Sequence, residues 1–305
     1  MPKIKINKRV VTPYQEIIDA NITLYGKADG IDFSHESRCV LINRMYQFCT
    51  DWYYEYHFFE YLVPTLFFPK EKPLNVLVIG GGDLIGTSML LKYANIKHID
   101  LIDIDEKMVN MGENDFKRFD FIKGPFYKDK RLRIIIGDAF VVTKKLLEND
   151  KKYDLVIYDL PVVNNHQLLP LMSIEFFKRL RALTKNDGFL SIYQEIGGTG
   201  MGPIKKESLL IGCAGFKKVL FMRGFKIQPS KFIAYEDNFL YFTNKGTFDI
   251  KNKKLLNKML LEDPVLENKF YEAGTEFNLK CPKNIKLNSI FKPDFSIIQD
   301  NEKNY

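Results

Sequence analysis

The chain has 305 residues, 46% hydrophobic and 27% charged, which suits one large globular domain with appendages or two modest ones. The formal charge of +7 raises nucleic acid as a partner, but the lysines are scattered in short runs such as Lys144-Lys145 and Lys251 to Lys254, which read as solvated faces, so no nucleic acid is expected. No stretch reaches the roughly 18 apolar residues needed to cross a bilayer, and Met1 to Val10 is too charged for a signal peptide, so an unprocessed soluble chain without a membrane partner is expected.

Cys39, Cys49, Cys213 and Cys281 form no C-x-x-C pair and no metal-like cluster with the four histidines, and a reducing cytoplasm is the expected compartment. From the N-terminus, Val10 to Thr23 is broken by Pro13 and reads as short strand pieces, with turn signals at Gly26, Asp29-Gly30 and Asn43-Arg44. Cys39 to Ile42 and Tyr46 to Cys49 flank the last of these as a hairpin, so a small antiparallel layer is predicted. From Tyr53 to Leu66, Tyr54, Phe58, Tyr61 and Leu62 recur at helical spacing, and Pro64 kinks or ends that helix. These aromatics read as core, while His57 is either a packing histidine or part of a site.

Residues 75–105 are the most informative stretch. Asn75 to Ile79 is a short apolar run of the kind found in buried parallel strands, Gly80-Gly81-Gly82-Asp83 is a tight turn, Thr87 to Tyr93 has helical composition, and His98 to Ile102 is a second buried strand ending at Asp103. Strand, glycine turn, helix, strand and terminal acid form the unit that holds an adenosine, the acid accepting from the ribose hydroxyls. The glycines do not follow G-x-G-x-x-G, and Asp83 at the turn would repel phosphate. A sulfonium nucleoside with its own amine fits that acid better than a dinucleotide does.

A helix from Glu106 to Met111 follows, then strands Arg131 to Ile136 and Tyr153 to Tyr158, which end at Gly137-Asp138-Ala139 and at Asp159. Asp138 is placed either to accept from an adenine amino group or to cap the helix Phe140 to Leu147. Four strands thus deliver Asp83, Asp103, Asp138 and Asp159 to one sheet edge, an acidic rim on a basic protein, for which a cationic substrate is the simplest cause. Phe189 to Tyr193 reads as a strand, Gly197 to Gly202 as a lid, Cys213 to Val219 as a helix-to-strand transition and Phe239 to Thr243 as a late antiparallel strand. Residues 248–305 read as a short helical extension with a loose tail. The predicted division is 1–70, a β-rich domain with its linking helix; 71–247, a Rossmann-like doubly wound α/β domain of the type that serves nucleoside-sulfonium transferases; and 248–305, the extension.

The segments VLVIGGGD, LIDIDEKMV and IIIGDAF resemble the spermidine synthase family of polyamine aminopropyltransferases. Weaker similarity extends to Tyr14-Gln15, to Gln47 with Tyr56-His57, to Ser173 through Phe177, to the segment ending at Gln194 and to Glu267 through Leu279. The resemblance implies transfer of an aminopropyl group from decarboxylated S-adenosylmethionine to an amine, with release of methylthioadenosine, and no metal or other cofactor. By the same resemblance Asp159 is the base and Tyr56 assists it at the amine, with His57 beside them. Asp83 takes the donor's ammonium, Asp103 the ribose and Asp138 the adenine. Gln15 and Gln47 line the donor pocket, and Gly80, Gly82, Ile104 and Ala139 complete the donor site. A homodimer or homotetramer built through the N-terminal layer is also implied.

The chain departs from the family at the base, where Asp159-Leu160-Pro161-Val162-Val163 carries Val162 in place of a second acid. Trp52 and Leu84 replace a usual acid and a usual glycine, while Asn164, Asn165 and His166 follow the base. Losing a carboxylate removes a partner for a buried ammonium, so an altered acceptor is expected. An S-adenosylmethionine-dependent methyltransferase is the rival reading, although Val78 stands where those enzymes place an acid and Asp83 would repel the methionine carboxylate. A noncatalytic protein that binds a polyamine or methylthioadenosine is the third.

Overall fold

The computed structural model describes residues 2–28, 31–50, 53–116, 125–161, 163, 166–193, 208–227, 234–251, 275–283 and 287–293. Strands β1 (Lys3–Val11), β2 (Glu16–Ala28), β3 (Ile31–Ile42) and β4 (Met45–Cys49) form a four-stranded antiparallel sheet in sequential order. The short pieces expected here are therefore long strands. Pro13 falls in the β1–β2 turn rather than within a strand, and Gly26 pairs with Phe33 inside the ladder. The hairpin turn at Asn43-Arg44 is as read, both residues having positive φ, 50° and 68°, the pair of values that suits a two-residue hairpin.

The second sheet has eight strands in the order β12-β10-β11-β9-β8-β5-β6-β7. Its parallel centre consists of β5 (Leu74–Gly80), β6 (Ile96–Asp103), β7 (Leu132–Ile136), β8 (Tyr153–Asp159) and β9 (Thr184–Tyr193). The antiparallel strands β11 (Ala234–Thr243), β10 (Lys218–Ile227) and β12 (Thr275–Asn278) extend one side. The strand β12 was not foreseen within a C-terminal stretch read as helical; four exposed residues at a sheet edge carry little hydrophobic signal. Helices α2 (Ile85–Tyr93), α3 (Glu106–Asn114), α4 (Ala139–Glu148) and α5 (Ile174–Leu183) flank the sheet, with α1 (Tyr53–His57) preceding them. One large apolar cluster runs from Phe58 to Phe67 onto β5 and β6, and a second from Ile79 and Tyr158 onto α5. This is a mixed α/β fold with a separate small antiparallel sheet, as expected.

Two features of the sequence are corrected. The stretch after His57 is not a continuous α-helix: α1 widens into a π-helical turn, Phe58–Leu62, and then tightens into a 3-10 turn, Val63–Phe67, with Pro64 near its start. The cysteines are not free thiols, since Cys39 bonds to Cys49 across β3 and β4, and Cys213 bonds to Cys281 beyond β12. The first pair closes the predicted hairpin, where Cys39 and Cys49 are register partners; the second could not be read from spacing, because its partners meet only through the late packing of β12.

The chain leaves β5, runs outward through β6 and β7, and returns to β8 on the other side of β5. This reversal makes a crevice at the carboxyl ends of β5 and β8, where open α/β sheets bind their ligands. Register places Gly80 opposite Asp159 and Asp103 opposite Ile136, so the strand-end residues reach one edge together. Gly80 cannot be replaced cheaply there: its φ is 82°, and a Cβ would lie 1.8 Å from the Asp159 carbonyl oxygen. Gly80→Ala is expected to cost about 3 kcal/mol or more in a denaturant titration.

Candidate active site at the carboxyl edge of the sheet

The glycine turn brings three backbones into near contact. Gly81 N–H donates to the Asp159 carbonyl at 3.1 Å, and a Cβ at Gly82 would meet an Asp103 carboxylate oxygen at 2.4 Å. Gly112 of α3 lies equally close, its added Cβ reaching the Gly82 and Asp83 carbonyls at 2.6 and 2.8 Å. Leu84, where the resemblance expects glycine, has φ of 65°. That left-handed geometry costs an L-residue roughly 1–2 kcal/mol, offset by about 2 kcal/mol from its fully buried side chain.

Asp83, His57 and Asp159 converge, one ligand atom of each lying within 4.8 Å of the others. One imidazole and two carboxylates could hold a divalent cation, and the same charge suits an ammonium group. Asp83 accepts from the Ile85 N–H at 2.8 Å and stands 3.7 Å from His57 Nε2. His57 is buried with its Nδ1 2.6 Å from the Tyr53 carbonyl, which orients Nε2 toward the acids. Burial opposes charge on the imidazole, but Asp83 and Asp159 outweigh it and raise its pKa.

Asp159 receives two phenols: Tyr56 donates to Oδ1 at 3.0 Å and Tyr61 to Oδ2 at 2.5 Å. Desolvation raises its carboxyl and the Asp83 charge adds to the rise, against His57 and the two tyrosines, leaving it at about 6. Its folded pKa therefore exceeds the ordinary 3.8, so the stability due to the protonated form is fully present below about pH 4 and is lost as pH rises through about 6. Asp159→Asn, which cannot ionise, is expected to melt about 2–4 °C above the parent at pH 8 and level with it near pH 4, measured by scanning calorimetry without ligand.

Asp103 is raised to about 7 by desolvation, with Asp105 and Asp83 adding to the rise and the N–H groups of Asp105 and Gly82 opposing it. Asp105 N–H donates to Asp103 at 2.8 Å, while the Asp105 side chain accepts from Lys107 N–H, Thr12 Oγ1 and Gln15 Nε2. Gln15 thus ties the small sheet to the turn after β6, beside Asp103. Asp138 sits at the end of β7 and caps α4 through the Phe140 N–H at 2.7 Å, next to buried Ala139. Ile104 is 40% exposed beside Asp103. Gln47 donates to the Met45 carbonyl on β4, adjacent to Phe48, whose ring meets His57.

All four aspartates accordingly share the carboxyl edge; Asp83, Asp103 and Asp159 crowd the glycine turn, and Asp138 lies at the far strand. Trp52, Val162, Asn164, Asn165, Gln194, the 197–202 lid and most of 267–279 lie outside the described residues, and His166 is exposed. Sequence reasoning missed Tyr61, Gly112 and Asp105. Tyr61 fell within an aromatic run that reads as core, and no local pattern distinguishes a phenol aimed at an acid from one that packs.

Residues 55–197 match the spermine/spermidine synthase domain. Over that stretch the chain is similar to the spermidine synthase family. A polyamine aminopropyltransferase 2 of Aquifex aeolicus is 29% identical over 92% of this chain and 51% of its own length. A polyamine aminopropyltransferase of Saccharolobus solfataricus is 30% identical over 58% of this chain and 53% of its own. The chain spans between 26% and 53% of the curated relatives it matches. A spermidine synthase solved with the transition-state analogue AdoDATO superposes with a TM-score of 0.63 at 19% identity, covering 80% of this chain and 75% of that one. The Thermotoga maritima spermidine synthase gives 0.60 at 18% identity, covering 80% and 74%. At those identities the two structures establish the fold.

Proposed function

We propose that the chain transfers an aminopropyl group from decarboxylated S-adenosylmethionine to an amine acceptor. The observation that carries this reading is the convergence of Asp83, His57 and Asp159 at the glycine turn, with two phenols on Asp159. In the reaction the acceptor nitrogen attacks the aminopropyl carbon bound to sulfur. The C–N bond forms as the C–S bond breaks, the electron pair passes to sulfur, and neutral methylthioadenosine leaves. Because the sulfonium is already a good leaving group, the residues have to align the attack and accept the amine proton.

Asp159 takes that proton, and a base with pKa near 6 is ionised at neutral pH yet close enough to the working range to exchange it. Asp83 holds the donor's ammonium, Asp103 the ribose and Asp138 the adenine. Tyr56 and His57 frame the amine, Gln15 and Gln47 border the donor pocket, and Gly80, Gly82, Ile104 and Ala139 let the nucleoside approach. With Val162 after the base, the acceptor carries less charge, or a bulkier chain, than the usual diamine.

Association of two or four copies through the small sheet belongs to the same proposal, where β1 exposes Ile4, Ile6 and Val11. Among the described residues no helix is long and apolar enough to cross a membrane. The cytoplasmic setting remains part of the proposal, and the two disulfides narrow it, since such bonds persist mainly in oxidising compartments and inside hyperthermophiles.

The test offers the purified chain both decarboxylated and intact S-adenosylmethionine with a panel of di- and triamines, with products read by mass spectrometry. Methylthioadenosine with an amine heavier by one aminopropyl unit is expected. S-adenosylhomocysteine would make it a methyltransferase, and no product from either donor would leave a binding protein.

A further inference from the structure

We propose that Tyr61 is a positioning residue for Asp159, seated by the π-helical turn in a slot that Gly81 and Gly86 leave bare. The proposal rests on the assignment of Asp159 as the base. Tyr61 is fully buried, and its hydroxyl donates to the Asp159 oxygen that Tyr56 does not occupy. In an uninterrupted α-helix, residues five apart point about 140° away from each other, so Tyr56 and Tyr61 could not both reach one carboxylate. The π-helical turn closes i to i+5, as the Val63 N–H does on the Phe58 carbonyl, and brings the fifth residue back over the first.

The glycine turn and α2 are shaped to receive the ring. A Cβ at Gly86 would lie 2.4–2.5 Å from three atoms of the Tyr61 ring, and one at Gly81 would lie 2.5 Å from its hydroxyl. A side chain at either position displaces the ring. Gly81 is in the left-handed region and needs glycine for its backbone as well, whereas Gly86 is helical and has no conformational reason to lack a side chain. Its bare surface is explained by Tyr61.

With one phenol on each oxygen, the carboxylate is fixed in rotation and keeps its remaining lone pairs for the amine. The groups facing it are Tyr56 and His57 from α1, Tyr61 from the π-helical turn and Asp83 from the glycine turn, with Glu60 acting electrostatically on Tyr61. Burial and the charges of Asp159, Glu60 and Asp83 hold the Tyr61 phenol well above its usual pKa, so it remains a donor throughout the working range. It favours the ionised base against the repulsion of Asp83.

The test uses Tyr61→Phe, which keeps the ring, and Gly86→Ala, which displaces it, both in the full chain. The Asp159 carboxyl is followed by 13C NMR against pH, with Asp159→Asn assigning the signal, and single-turnover rates are measured from pH 5 to 9. In Tyr61→Phe the Asp159 midpoint and the acid limb of the rate profile are expected to rise together by about one pH unit, with the rate falling about twofold at pH 7 and about tenfold at pH 5, and donor affinity unchanged within about twofold. Gly86→Ala should reproduce the direction of both shifts. An Asp159 midpoint and acid limb unchanged in Tyr61→Phe would overturn the proposal. A parent chain that transfers no aminopropyl group would overturn the proposed function instead, and the carboxyl titration would still decide whether Tyr61 tunes Asp159.

Discussion

Asp159→Asn is expected to lower the rate of methylthioadenosine release by about a thousandfold at pH 7.5, while donor affinity by calorimetry changes less than about threefold. An amide keeps the size of the carboxylate and still accepts from one phenol, but it cannot take a proton from the attacking amine. At neutral pH a free alkyl amine is almost entirely protonated, with an ordinary pKa near ~10, so without a base only a small fraction of acceptor is nucleophilic. Raising the pH from 7 to 9.5 should therefore recover a large part of the lost rate in the variant, by supplying neutral amine from solution. Undiminished turnover in Asp159→Asn would move the proton to another group, with His57, buried beside both acids, next in line.

Discrimination between donors should be the other large effect. Decarboxylated S-adenosylmethionine is expected to bind about ten- to a hundredfold more tightly than S-adenosylmethionine, because two like charges about 4 Å apart repel by roughly 1–4 kcal/mol between bulk water and a protein surface. Asp83 provides that repulsion, standing at the turn with its carboxylate on the Ile85 N–H. Asp83→Asn should weaken the decarboxylated donor and relax the preference to about threefold or less by the same reasoning. Equal affinities in the parent chain would remove the charge argument for aminopropyl transfer and favour the methyltransferase reading.

The parallel centre of the fold was legible because each buried strand is a short apolar run that stops at an acid or glycine, so Asp83, Asp103, Asp138 and Asp159 could be assigned to one edge before any register was known. Register then places Gly80 against Asp159, which no spacing rule could specify. The aromatic run Tyr53 to Phe68 was less informative. Its 3.6-residue spacing continues into a stretch that the protein winds first too wide and then too tight, because the partners of Tyr61 lie on α2 and β8. Residue type also hides what an acid does locally: Asp138 and Asp83 both accept from helix N–H groups while standing at the carboxyl edge of the sheet. Strand β12 and the Cys213–Cys281 bond were invisible because each depends on contacts between distant parts of the chain, whereas Cys39–Cys49 closes the predicted hairpin and needed only its register.

The bond between Cys213 and Cys281 turns much of the last third of the protein into a covalent ring. It spans 68 positions and holds β12 beside β10 at the antiparallel side of the sheet. A crosslink of that span is worth about 4 kcal/mol of unfolded-chain entropy, and the shorter Cys39–Cys49 ring about 3 kcal/mol, comparable together to much of a typical domain's margin. Thiol reagents in a preparation therefore act on this protein as denaturants, and a sample kept in them is a different molecule from the one that folds in their absence.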